Sequence, residues 1–259
     1  MKRVILFVSI LFFPISFTFA GGAQESPETM DSVVVFAAAS TIDVMQTLAD
    51  LFEEETGHTV LLNPASSGTL ARQLSQGAEA DVYISASKKW MDSVVDDGLV
   101  EETQPFARNR MVLIAPSDSP DSALELGADY DFPGSFEGRL SMGDPAHVPA
   151  GAYAQKALEF YGWYEELSPR ILPAANVRAA LSVVELAETD RGVVYRTDAL
   201  KSDKVKILAV FPEESHNPVS YYSALLKDCS DGGRDFYDFA VNGGKTDSVL
   251  KEFGFDMKL

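Results

Sequence analysis

The stretch SVVVFAAASTIDVMQTLADLFEEETGHTVLLN, residues 32–63, changes its hydrophobic period twice. SVVVFAA (32–38) is a short β-branched run, the pattern of a buried strand. In TIDVMQTLADLFEEETG, Met45, Leu48 and Phe52 recur at helical spacing, and Gly57 stands where a helix would stop. HTVLLN (58–63) reads as a strand again. Strand, helix and strand in that order indicate a parallel pair with a helix packed across it.

The rhythm continues. TLARQLSQG (69–77) is a short helix with Leu70 and Leu74 on one face, and DVYISAS (81–87) a strand. RMVLIAP (110–116), RLSMGD (139–144), KVKILAVFP (204–212) and VSYYSALLK (219–227) read as strands. AGAYAQKALEFYG (150–162) and NVRAALSVVELAE (176–188) read as helices. RGVVYRTDAL (191–200) gives a strand and a turn, and RDFYDFAVNG (234–243) opens a final helical region. The fold class is therefore α/β, with mostly parallel sheets covered by helices. Without residues 1–20, which have the form of a cleavable leader, the remaining 239 of the 259 residues are large for one doubly wound sheet, so two lobes are expected. No linker rich in Pro, Gly or Ser separates them, which suggests crossings on extended segments.

Composition narrows the function. The apolar fraction is 46% and the formal charge −18. Such acidity argues against a nucleic-acid binder, which needs a basic footprint. Residues 1–20 have the form of an export signal: Lys2 and Arg3, an apolar run to Phe13, and small residues toward Ala20. Losing them would take the charge to −20, since they carry two bases and no acid. Residues 21–30 read as a polar tether. The single cysteine, Cys229, excludes an internal disulfide and stands far from the apolar run, so no lipoprotein anchor is indicated. The three histidines, His58, His147 and His216, have no metal-ligand spacing.

Four segments share one design: small or polar residues set directly at the start of a helix. They are FAAAS ending at Ser40, NPASSGTL around Ser67, HVPAGAYA around Ala150, and AANVRAA around Val177. Helix starts offer unpaired N–H groups and a partial positive charge. Several aimed at one point make an anion site without a lysine or arginine. Tyr195, at the end of the strand GVVY, could add a hydroxyl at the edge where open α/β sheets bind ligands. Each segment also has a plainer reading. Ser40 and Ser67 could be helix caps, and Ala150-Gly151 after Pro149 an ordinary helix entry. A different chemistry would have Asp144 and His147, in GDPAHVPAG, activating Ser40 or Ser67 in a serine-dependent hydrolase. In the binding reading those two residues shape the loop, while Pro149 and Gly151 let its backbone turn and come close to a ligand.

VVVFAAAS, ASSGTLARQLSQGAEADVYISASKKWMD, GDPAHVPAGAYAQKAL, VRAALSVVE and GVVYRTDA together resemble the periplasmic molybdate-binding proteins of ABC transporters. The resemblance runs from about Val33 to the closing FGFDM, with the segments in the family's order. It implies a two-lobed fold of the type II periplasmic binding-protein kind, with the ligand in the cleft. One lobe would be discontinuous, near 31–109 and 206–259, and the other near 110–205. The implied ligand is molybdate or tungstate, sulfate being the alternative oxyanion. The implied contacts run from its oxygens to neutral donors: the hydroxyls and N–H groups of Ser40 and Ser67, the N–H groups of Ala150 and Val177, and the Tyr195 hydroxyl. No direct metal ligation, cofactor or enzyme activity is implied. The expected partner is an ABC permease with its ATPase, and the expected place a periplasm, as a monomer. Donors of this kind predict an affinity that changes little between about pH 6 and 8.

Overall fold

The computed structural model describes residues 32–127 and 129–256. The expected export signal and tether, residues 1–30, lie outside them. Among the described residues, ten strands form two five-stranded sheets. The first contains β1 (Val33–Ala38), β2 (Val60–Ala65), β3 (Val82–Ser85), β4 (Val100–Asn109) and β10 (Val219–Leu226). The second contains β5 (Met111–Pro116), β6 (Leu140–Gly143), β7 (Ile171–Ala174), β8 (Arg191–Tyr195) and β9 (Val205–Val210). The helices are α1 (Ile42–Thr56), α2 (Ser67–Ser75), α3 (Lys88–Asp96), α4 (Pro149–Phe160), α5 (Tyr164–Leu167), α6 (Val177–Glu185), α7 (Arg196–Leu200), α8 (Asp231–Tyr237) and α9 (Thr246–Glu252).

The two sheets have the same design. Their orders are β2-β1-β3-β10-β4 and β7-β6-β8-β5-β9. In each, the fourth strand runs against the other four: β10 pairs antiparallel with β3 and β4, and β5 with β8 and β9. The remaining pairs are parallel. The reversed strand in each sheet comes from the chain crossing over. β4 ends at Asn109 and β5 begins at Met111 in the other sheet, and the return runs from Val210 to Val219. The first crossing is Arg110 alone, while the return includes a helical turn at Glu213–Ser215 where an extended segment was expected. The expected boundary at residue 206 cuts through β9. That strand pairs with β5 of the second sheet up to Val112↔Val210. Strand alternation identifies a strand but not the sheet that receives it.

α1 shows why the opening stretch folds as it does. Val44, Met45, Leu48 and Phe52 are buried on one face. Phe52 meets Phe236 of α8 edge-on, with ring centroids 5.2 Å apart. Burying each such side chain contributes about 1.5–3 kcal/mol. Gly57 ends the helix in the left-handed region at φ 77°, and its N–H bonds to the Glu53 carbonyl.

Candidate functional site

Ser40 lies in a single helical turn, Ala39–Thr41, between β1 and α1. Ser67 is the first residue of α2, Ala150 the second of α4, and Val177 the first of α6. Tyr195 closes β8. All five line one small cavity where the two lobes meet, together with Ala86 and Asn176. Its free volume is about 10 Å³, the scale of a single water. No charged side chain is among its lining residues. α4 and α6 bring first-turn N–H groups, which have no partner within the helix, to its wall.

The capping role falls to other residues. Ser66 caps α2, its Oγ accepting from Thr69 N–H at 3.2 Å. Asn176 caps α6, its Oδ1 accepting from Ala179 N–H at 2.9 Å. Ser40 and Ser67 occupy no cap position.

Both serine hydroxyls already accept a hydrogen bond, and this leaves their protons for the cavity. The chain of assignments for Ser40 starts at the crossing. Arg110 N–H donates to Asn109 Oδ1 at 2.9 Å, which fixes that amide. Asn109 Nδ2 then donates to Thr197 Oγ1 at 2.8 Å and to the Tyr221 hydroxyl oxygen at 3.2 Å. Tyr221, accepting from Asn109, donates to Ser40 Oγ at 2.9 Å. Ser67 is set more directly: Ala86 N–H donates to its Oγ at 2.9 Å. Its carbonyl accepts from the Tyr83 hydroxyl at 2.9 Å.

Tyr195 is 1% exposed, and its hydroxyl has no hydrogen-bond partner among the described residues. A buried hydroxyl left so costs about 1–3 kcal/mol. Burial, reinforced by Tyr221 and Tyr153, pushes its pKa well above the usual value, so the group stays a proton donor. The cavity thus gathers hydroxyl and backbone N–H donors with no cation: an arrangement suited to an anion whose hydration must be replaced by fixed dipoles.

Known proteins resemble this chain over most of its length. The sequence pattern of bacterial extracellular solute-binding proteins matches residues 33–256. The chain belongs to that family. It is 40% identical over 248 residues to the molybdate-binding protein ModA of Escherichia coli, spanning 94% of this chain and 95% of that protein. It is 38% identical to ModA of Haemophilus influenzae, spanning 96% of each. The solved periplasmic molybdate-binding protein of Azotobacter vinelandii superposes with a TM-score of 0.76 at 20% identity, covering 88% of this chain and all of that one.

The two lobes also touch directly beside the cavity. Gly68 N–H, on the first lobe, donates to the His147 carbonyl on the second at 3.1 Å. A Cβ at Gly68 would stand 2.5 Å from that oxygen and 2.6 Å from the Trp90 ring. Arg178, one residue past Val177, reaches Asp43 of α1 at 2.6 Å. Its Nε is in ion-pair contact with Asp198. The guanidinium therefore lies between the Asp43 carboxylate and the Asp198 side chain. Asp198 is fully buried, and burial pushes its pKa up to about 7 against the pull of Arg178.

Asp144 and His147 do not reach the serines. The Asp144 carboxylate accepts from Ala146 N–H at 2.9 Å and lies 3.8 Å from His147 Nδ1, shaping the loop. Neither serine hydroxyl has a histidine partner among the described residues. Gly151 has a different role from the expected one. A Cβ there would collide with the Gly143 carbonyl, so its size serves the packing of α4 on β6. Sequence reasoning missed Tyr221, Asn109 and Gly68. Their partners lie far away in the chain, and no local pattern announces them.

Proposed function

We propose that this chain is an extracytoplasmic binding protein that captures molybdate and hands it to an ABC importer. The observation that carries the reading is the uncharged cage, above all the buried Tyr195 hydroxyl that no group among the described residues satisfies. In it Ser40, Ser67 and Tyr195 donate hydroxyl protons, and Ala150 and Val177 donate backbone N–H groups, to the ion's oxygens. The relatives named for molybdate support the choice of ion, and tungstate, of like charge and shape, is expected to bind too. The closed cavity is smaller than a five-atom ion. The ion therefore enters an opened cleft, and the lobes re-close on it with their walls slightly further apart. Export by residues 1–20, a periplasmic location, and docking of a monomer on a permease complete the reading.

The test is thermal melting with molybdate, tungstate and sulfate side by side. A tight ligand at 100 times its dissociation constant adds about 2.7 kcal/mol of stability. Molybdate and tungstate should raise the melting temperature. A shift with sulfate alone would move the assignment to another oxyanion, and no shift with any of them would refute it.

A further inference from the structure

A second pocket, about 470 Å³ in volume, adjoins the cage and straddles the cleft. Lys88, Lys89 and Trp90 line it from the first lobe, Tyr153 and Lys156 from α4 of the second, and Arg108 from β4 just before the crossing. The lining holds four cations and no carboxylate, in a chain with 39 acids and 21 bases. Lys88 is paired with Asp92 at 2.7 Å. Lys89 lies 4.9 Å from the centroid of the Trp90 ring, and Lys89, Arg108 and Lys156 make no ion pair among the described residues. Arg108 also borders a neighbouring hollow with Glu213 and Asp256, and Arg110 engages the Asp256 carboxylate at 3.0 Å.

Only one wall separates this pocket from the cage. Pro149 lines both. The Tyr153 hydroxyl donates to the Ala86 carbonyl at 3.4 Å, and the N–H of the same Ala86 holds Ser67 Oγ. The cage itself has no charge with which to draw an ion in, and the chain as a whole, at −18, repels an anion. Local cations at the cleft rim can overcome that repulsion, because fields from exposed charges act over about 8–10 Å at ordinary salt.

We propose that this pocket is an anion-recruiting vestibule: it takes an inorganic dianion from solution at the mouth of the cleft and sets the rate at which the cage fills. The inference rests on the oxyanion-capture reading. It assigns to Lys89, Lys156 and Arg108 a role in association and none in holding the bound ion.

The experiment is stopped-flow tryptophan fluorescence with molybdate, at ionic strengths from about 0.01 to 1 M, on the full chain and on Lys89→Gln/Lys156→Gln. Both lysines are exposed, so the double variant should melt like the parent. The parent's association rate should fall as salt rises. The variant's rate at low salt should be about tenfold lower, within the range that steering supplies, and should stay flat or rise with salt. The two rates should converge near 1 M, where the screening length is about 3 Å. Dissociation rates should match throughout. A parent rate that rises with salt would overturn the proposal, because the field of the whole chain would then dominate. So would a variant that loses affinity only through faster dissociation, which would make the lysines part of the closed-state grip. If the unsubstituted chain binds no molybdate at any salt, the capture reading itself fails, an outcome distinct from both.

Discussion

Replacing Tyr195 with phenylalanine should move stability and affinity in opposite directions. The ring is buried, and its hydroxyl has no partner among the described residues. Removing the oxygen changes little volume and relieves an unsatisfied buried group. The ligand-free protein should gain on the order of 1 kcal/mol, or about 2–4 °C in melting temperature for a chain of this size. The bound ion should lose one charge-assisted hydrogen bond, about 1.5–3 kcal/mol. A loss of about 2 kcal/mol weakens binding ~30-fold. Molybdate at 100 times the parent's dissociation constant is then only about three times the variant's. The stabilisation it confers should fall from about 2.7 to about 0.9 kcal/mol. Melting curves with and without molybdate, joined to calorimetric titration, read both quantities. A variant that is less stable when ligand-free and binds as tightly as the parent would refute the reasoning, because the hydroxyl would then serve the fold.

The serines should behave otherwise. Ser67→Ala should lose a similar 1.5–3 kcal/mol of affinity but should also destabilise the ligand-free chain, because Ala86 N–H is left without an acceptor. Ala150→Pro should abolish tight binding in calorimetry with the fold kept, since a first-turn proline deletes a donor that the helix does not use. Gly68→Ala sets a Cβ 2.5 Å from the His147 carbonyl, an oxygen on the opposite lobe. Overpacking of that kind costs about 1–3 kcal/mol, so affinity should fall roughly 5- to 150-fold, with small-angle scattering reporting a more open ligand-bound form. Asp198→Asn should flatten part of the pH dependence of stability. With its pKa raised to about 7 in the fold, Asp198 stays protonated while the unfolded chain ionises near 4, so the parent loses stability as pH rises between about 4 and 7. Denaturant unfolding across that window should show the parent's downward slope reduced in the variant, and identical slopes would mean that Asp198 does not titrate there.

The fold was legible where burial imposes a period. β1, α1 and β2 follow from residues 32–63, because one face of each must reject polar side chains. α3 escaped the reading: only Met91 and Val94 are buried, and Lys88, Lys89, Asp92 and Asp96 crowd its surface. β4 escaped for the same reason. It runs VEETQPFARN along the edge of its sheet, exposed through its first half, with Pro105 tolerated at the rim. The site was legible as a set of helix starts plus a strand-end tyrosine, a pattern of local residues. What orients it was not. Tyr221 reaches Ser40 across 181 positions, and Asn109 reaches Tyr221 across 112. Asp198 was not legible either, since its burial and its contact with Arg178 are tertiary facts, and it bears on the pH dependence of stability rather than on the flat pH response expected of affinity.

Those distant partners give neutral donors the fixed polarity that the proposed capture of a dianion requires. A hydroxyl can donate or accept, and alone it offers an ion no fixed polarity. At Ser40 the choice is made by a line of bonds that begins in the crossing itself: Arg110 N–H to Asn109, Asn109 to Tyr221, Tyr221 to Ser40. At Ser67 it is made by Ala86 N–H. Each serine oxygen is already occupied by a donor, so each proton is aimed at the cavity before any ligand arrives. Such preorganisation lowers the ordering cost of binding. It also ties the candidate site to the crossing, since Asn109 is the last residue of β4 before the chain changes lobe. A movement that displaced Asn109 from Tyr221 would free Tyr221 to accept from Ser40 and turn that serine's proton away from the ion. Opening the cleft along this line would therefore weaken the grip from the first lobe as well as withdraw the donors of the second.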